Sequence, residues 1–189
     1  VTTFVYGDHI LTYFNYFGVL IAFIFFGSRI FSLDKLVSGA KGLAEKYRGW
    51  DIALIRITYG ISVIYPAIMI KILHPIIMVE IAKKYHLADI RWLFPSDPLL
   101  ISLGTGLTQI AVGLFIILGF GTRLSSFATF ILYVLSIIYF KEAVWPHYIL
   151  LALALYLVIN DGGKLTVDEW LKKKIGRANP QPDAGAAKN

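Results

Sequence analysis

The sequence contains no cysteine. That excludes disulfides, cysteine-ligated clusters and any thiol or persulfide relay carried by this chain. Charge is scarce as well: 16% of the 189 residues are charged, against about 25% in a typical soluble domain. Phosphate-binding loops, catalytic triads, zinc signatures and haem-attachment motifs are absent from the sequence. No Asp or Glu sits in the middle of a long apolar run. Proton pumps and ion-coupled transporters usually carry an ionisable group there, so the omission argues against both.

What the chain does have is apolar sequence: 57% of its residues are hydrophobic, gathered in long runs and not spread at strand spacing. An apolar run of about 18 residues with few charges reads as a membrane-spanning helix. Five runs fit, at 9–26, 52–70, 98–120, 124–140 and a shorter one at 146–159. Hydrocarbon offers no hydrogen bonds, so each backbone must satisfy itself as a helix. The solid apolar blocks speak against the alternating strands of a β-barrel. The expected fold is all-α, a polytopic membrane helical bundle.

The basic residues give an orientation. Residues 1–8 hold no Lys or Arg, whereas Arg29, Lys35, Lys41, Lys46 and Arg48 follow the first run. A cleaved signal peptide has the opposite order, so the first run reads as a retained helix with its N-terminus outside. Threading five helices from there puts those five, Arg123, Lys164, Lys172, Lys173, Lys174, Arg177 and Lys188 in the cytoplasm. Only Lys83, Lys84, Arg91 and Lys141 fall outside. That is a positive-inside bias in a cell (plasma) membrane protein with a cytoplasmic C-terminus. The net charge of +6 then reads as anchoring to anionic headgroups, with no nucleic acid as partner. Trp50 and Trp170 fall at the inner interface and Trp92 and Trp145 at the outer one, where amphipathic rings gather.

The connections have their own signals. Gly119-Phe120-Gly121-Thr122-Arg123 is a tight turn that predicts an antiparallel hairpin. In the long 75–97 connection Ile77, Ile81 and Tyr85 recur at four-residue spacing beside Met78 and Ala82, predicting a short amphipathic helix on the outer surface. Tyr65-Pro66 should kink the second helix and free carbonyls. After the fifth run, Thr166 and Glu169 have capping-box spacing. Val167, Trp170 and Leu171 form an apolar stripe beside Lys172, Lys173 and Lys174, predicting an in-plane cytoplasmic helix. The stretch Gly27 to Leu36 parallels Gly162 to Leu171 in its order of Gly, base, Ser/Thr, Asp and Leu. This is either an internal repeat or the common way membrane helices end.

Three stretches carry a family resemblance: Ile55-Arg56-Ile57-Thr58-Tyr59-Gly60 with Lys71 beyond it, Gly113 through Leu124, and Gly163-Lys164-Leu165-Thr166-Val167-Asp168. With these, residues 52–171 resemble the DoxX/DoxD-like family of small four-helix membrane proteins. The resemblance implies a four-helix unit associated with redox complexes. DoxD-like members serve as a membrane subunit of thiosulfate:quinone oxidoreductase. The organisation that follows is 1–50 as an N-terminal transmembrane helix and linker, 51–175 as the DoxX-like domain, and 176–189 as a tail. The extra N-terminal helix and the large outer loop depart from the family's pattern.

Two sets of residues are candidates for chemistry. Arg56, Tyr65, Lys71 and Arg123 offer donors for an anionic substrate or a quinone carbonyl. The plainer reading of Arg56 and Arg123 is snorkelling to headgroups with bonds to helix-end carbonyls. His9, His74, His86 and His147 share the outer side and can ligate a metal or exchange protons with a quinol, although no pair has a sharp ligand spacing. The plainer reading is four interfacial histidines. No cofactor is expected on this chain alone, and a quinone is the ligand the resemblance implies. The function expected is a membrane subunit of a quinone-linked, respiratory-type oxidoreductase complex. The alternatives are a non-catalytic accessory subunit packing against other membrane subunits and, behind it, a small-solute carrier.

Overall fold

The computed structural model describes residues 14–26, 49–86, 96–140, 145–160 and 162–178. His9, Trp92, the 27–36 half of the repeat and the tail from 179 lie outside the described residues. Among the described residues every element is helical. In chain order these are α1 (Phe14–Phe26), α2 (Trp50–Pro66), a π-helical continuation (Ala67–Leu73), α3 (Pro75–Lys84), α4 (Pro98–Leu118), α5 (Thr122–Phe140), α6 (Trp145–Asn160) and α7 (Val167–Ala178). The apolar runs at 52–70, 98–120, 124–140 and 146–159 thus correspond to α2 with its continuation, α4, α5 and α6.

Two of these elements, Trp50–Leu73 and Pro98–Leu118, are long and apolar enough to cross a membrane. Thr122–Ile138 and His147–Asn160 are shorter apolar helices. The exterior is correspondingly greasy: Leu107, Leu114, Leu124, Phe127, Ile138 and Ile159 are all exposed. In water such a surface would drive aggregation.

Helices α2, α4, α5 and α6 close on one core of Ile52, Tyr59, Val63, Ile116, Leu150, Ala154 and Leu157. Small residues set the approach of α2 to α4. A Cβ on Gly60 would lie 2.9 Å from the Gly113 carbonyl, and one on Gly113 would lie 3.2 Å from the Gly60 carbonyl. Close backbone approach of this kind is how helices gain contact where lipid is as apolar as leucine. Helix α1 packs on α2. There Ser62 takes the Asn15 N–H at 2.8 Å and donates to the Asn15 side-chain oxygen at 3.2 Å. Gly18 lies directly against Thr58.

The ends of the helices follow local rules. The Asp97 carboxylate accepts the Leu99 N–H at 2.8 Å, and Pro98, which has no N–H to satisfy, occupies the first turn of α4. Gly119, at φ 69°, closes α4. Its N–H reaches the Ile116 carbonyl at 3.1 Å, and the Phe120 N–H reaches Phe115 at 3.0 Å, the paired bonds of a Schellman ending. Glu169 N donates to the Thr166 hydroxyl at 3.1 Å, so the capping-box spacing does cap α7.

At Pro66 the hydrogen-bond pattern of the helix changes and a carbonyl is freed, while the helix continues. The helix changes from α to π directly after it, and the Ala67 N–H bonds the Ile64 carbonyl, three residues back. The Val63 carbonyl takes a bond from the Gln109 side chain of α4 at 2.8 Å. Helix α3 differs in detail from its expectation. Met78 and Ala82 are buried against Ile101 of α4, with Ile81 and Tyr85 flanking, while Ile77 is exposed. The stripe turns toward the bundle because α4 offers an apolar partner there.

Candidate functional site

Arg56, the Gly119–Thr122 turn and residues 163–168 are far apart in sequence and meet at one end of the bundle. Arg56 lies in the second turn of α2 and is 1% exposed. Its Nη2 donates to the Leu165 carbonyl at 2.9 Å and to the Lys164 carbonyl at 3.5 Å. Those carbonyls belong to the strap 162–166, which crosses the bundle end between α6 and α7. The strap is also tied to the start of α2, because Lys164 N donates to the Gly49 carbonyl at 3.1 Å.

Backbone geometry makes the closure possible. Gly163 sits at φ 69°, and a Cβ there would lie 2.7 Å from the Gly49 carbonyl. A Cβ on Gly119 would run into the Arg56 Nη1 and the Thr166 side chain. Leu165 holds φ 58°, a left-handed conformation that is rare for a residue with a side chain. It is retained where its carbonyl meets the guanidinium. Asp168 completes the seam. Its carboxylate accepts the Gly121 N–H at 2.9 Å, and its own N–H reaches the Gly119 carbonyl at 3.4 Å. Glu169 and Asp168 both act electrostatically on Arg56.

The cluster is rich in unused donors. Arg56 Nε and Nη1 and the Thr122 hydroxyl are buried and have no hydrogen-bond partner; the hydroxyls of Tyr59 and Ser126, on the core-facing sides of α2 and α5, are likewise buried and unmatched. Thr122 and Ser126 stand one turn apart on the inner face of α5, 1% and 0% exposed. Arg56 Nη1 and the Thr122 hydroxyl converge on Gly162: a Cβ there would lie 3.3 Å from the first and 2.8 Å from the second. A buried polar atom left unmatched costs about 1–3 kcal/mol. The natural complement of these donors is an acceptor: water, a carbonyl oxygen or an anion. No nucleophile with an adjacent base stands among these residues, so the chemistry on offer is binding and polarisation, not covalent catalysis.

The other sequence candidates are distributed differently. Arg123 is exposed at the start of α5, apart from the buried Arg56 environment. Tyr65 and Lys71 lie further along the α2 axis, Lys71 by roughly 20 Å from Arg56 at helical rise, so these residues do not share its surroundings. The backbone carbonyl of Lys71 accepts from Ser102 at 3.0 Å. His74 precedes α3 and His86 follows it, both exposed, while His147 lies in the first turn of α6 with its ring 5.4 Å from that of Tyr133. These three lie toward the end opposite Arg56. Among the described residues no group of three or more His, Asp or Glu side chains is placed to hold a metal ion.

Arg56 bonds backbone carbonyls, as one of its two sequence readings allows, here those of Lys164 and Leu165; Thr122 and Ser126 are not among the sequence candidates. The signal for the hydroxyls was present as an i, i+4 spacing in the hydroxyl-rich first turns of α5, which also hold Ser125 and Thr129. Residues 90–182 match the family model of DoxD, the TQO small subunit. No curated protein and no solved structure matches the chain. The DoxD match covers just under half of the chain and spans α4 to α7. It therefore contains the Gly119–Thr122 turn, the strap and Asp168. Arg56 and the rest of α2 lie outside it, so the matched segment is shorter than the resemblance over 52–171. DoxD itself is described as the small subunit of thiosulfate:quinone oxidoreductase.

Proposed function

We propose that this chain is a multi-pass membrane subunit of a quinone-linked oxidoreductase complex, comparable in role to a thiosulfate:quinone oxidoreductase small subunit. The observation that carries the reading is the DoxD match over 90–182, whose turn and strap fold onto a buried arginine. The bundle crosses the membrane with the Arg56 end toward the cytoplasm, as the Lys and Arg distribution favours. Partner subunits dock on its apolar sides, and α1 extends that surface.

Arg56 is the residue on which binding rests. Its Nε and Nη1, with the Thr122 hydroxyl, suit one acceptor oxygen, such as the carbonyl of a quinone. A quinone bound there would supply two-electron redox chemistry. The chain's own part is to orient that oxygen, to withdraw electron density from it and to hold water away with the strap. Tyr65, Lys71 and Arg123 contribute at most to lipid or partner contacts in this reading, and the histidines at the other end serve as interfacial groups.

The second reading, an accessory subunit without a ligand of its own, is favoured by the polar and close-packed attachment of α1 to α2. One experiment separates them. The tagged chain is purified in mild detergent from its native membranes, the accompanying proteins are identified, and quinone reduction by the assembly is measured for wild type and Arg56→Met. Co-purified redox subunits, with quinone reduction lowered tenfold or more in an intact Arg56→Met assembly, support the first reading. An intact assembly of unchanged activity supports the second. Recovery of the chain alone, without redox partners, sinks both and favours a solute carrier.

A further inference from the structure

Helix α7 leaves part of an apolar arc uncovered. At 100° per residue, Val167, Trp170, Leu171 and Ile175 fall within about 140° of its circumference. Val167 and Leu171 are half-buried. Trp170 and Ile175 are 59% and 66% exposed, and Leu165, just before the helix, is 63% exposed. Asp168, Glu169, Lys172 and Lys173 take the other side of the helix. Lys174 stands inside the arc with its ammonium 5.0 Å from the Trp170 ring centroid, a cation–π contact that leaves both groups at one level.

The level itself is set by the bundle. The start of α7 is bonded to the end of α4 through Asp168 and Gly119, and to the turn into α5 through Asp168 and Gly121. Helix α4 is one of the two elements able to cross a membrane. Its end is where the chain leaves the hydrocarbon, so α7 begins at the headgroup layer. Trp50, 41% exposed, begins α2 at the same end of the bundle. Three consecutive lysines, an exposed indole and two exposed aliphatic side chains at that height match one surface: a lipid leaflet carrying negative charge.

We propose that α7, together with Leu165, docks on an anionic bilayer surface. Trp170, Ile175 and Leu165 enter the headgroup boundary, Lys174 meets lipid phosphates from within the arc, and Lys172 and Lys173 face the water layer close enough to the anionic surface to feel its potential. This rests on the membrane-spanning reading of the bundle. It adds a consequence for the candidate site, because residues 165–168 both lead into α7 and cover Arg56. A leaflet that holds α7 also holds the lid of that site.

The absence of native cysteine allows a direct test by single-site spin labelling of the full chain. Labels are placed at Ile175→Cys, at Lys173→Cys on the polar side and at Leu107→Cys midway along α4, and the protein is reconstituted in vesicles with or without phosphatidylglycerol. Collision with lipid-soluble oxygen is compared with collision with an aqueous nickel chelate. In phosphatidylglycerol vesicles the Ile175 label should favour oxygen, at a shallower depth than the Leu107 label, while the Lys173 label favours nickel. Replacing Lys172, Lys173 and Lys174 by Gln should lower the docked-to-free ratio by about fivefold per lysine. Removal of phosphatidylglycerol should act in the same direction.

A nickel-accessible Ile175 label beside an oxygen-accessible Leu107 label would overturn the docking while sparing the membrane reading. A nickel-accessible Leu107 label would overturn the membrane reading itself. An Ile175 label shielded from both reagents would mean that a second copy of the chain, and not lipid, covers the arc.

Discussion

At the residue scale the informative positions are those where the backbone does something unusual. Gly119 and Gly121 flank one turn and both have positive φ, 69° and 53°. Their surroundings differ. A side chain on Gly119 would strike Arg56 and Thr166, whereas a Cβ on Gly121 would meet nothing within 4 Å. Gly121→Ala should therefore cost only the left-handed penalty, about 1–2 kcal/mol. Gly119→Ala should cost that and displace the Arg56 guanidinium, roughly doubling the loss. Thermal unfolding of the two variants in the same detergent checks the order. Equal losses would mean that Arg56 is not packed against Gly119. The Arg56 guanidinium itself is enclosed by the strap, whose Lys164 and Leu165 carbonyls supply its acceptors.

At the element scale α2 is the most instructive helix, because its irregularity is matched by a partner. Pro66 removes one backbone donor, the helix continues in π form, and Gln109 of α4 donates to the Val63 carbonyl. The pairing ties the end of α2, where the irregular segment begins, to the middle of α4. Gln109→Leu should lower stability by about 0.6 kcal/mol, the usual worth of such a bond in a bilayer. It should also speed hydrogen exchange around Ala67–Leu73 more than in the first turns of α2. Exchange raised uniformly along α2 would count against a local role. The irregularity was legible as Pro66 and the donor as Gln109. Their meeting was not, since 43 residues separate them and nothing local fixes how α4 is rotated against α2.

At the scale of the whole molecule, two glycine contacts do different jobs. Gly60 and Gly113 bring α2 and α4 together inside the four-helix unit, and Gly18 brings α1 against Thr58 on its outside. Gly113→Leu would drive a side chain into Ile64 and the Gly60 carbonyl and should abolish the folded bundle. Gly18→Leu should loosen α1 while α2, α4, α5 and α6 keep their core. Limited proteolysis between α1 and α2 in detergent would then release α1 from the variant and leave it bound in wild type. Loss of the whole bundle in Gly18→Leu would mean that α1 is integral to the unit.

Much of this architecture could be read in the sequence. The positions of α2, α4, α5 and α6, the cap at Thr166, the break at Pro66 and the turn at Gly119 follow from apolar run length, proline geometry and short-range capping. Each depends on residues within one or two turns of each other, so local chemistry suffices. The tertiary structure alone decided which of the scattered polar residues would meet. Arg56 pairs with Leu165, 109 positions away, and Gly121 with Asp168, 47 away. Arg123 stays exposed beside them, and Lys71 goes to the far end of the same helix as Arg56. Apolar runs determine that helices form and roughly where they end. The rotation and depth of each helix are set only when all of them pack, because the exposed and core-facing sides of these runs are almost equally apolar.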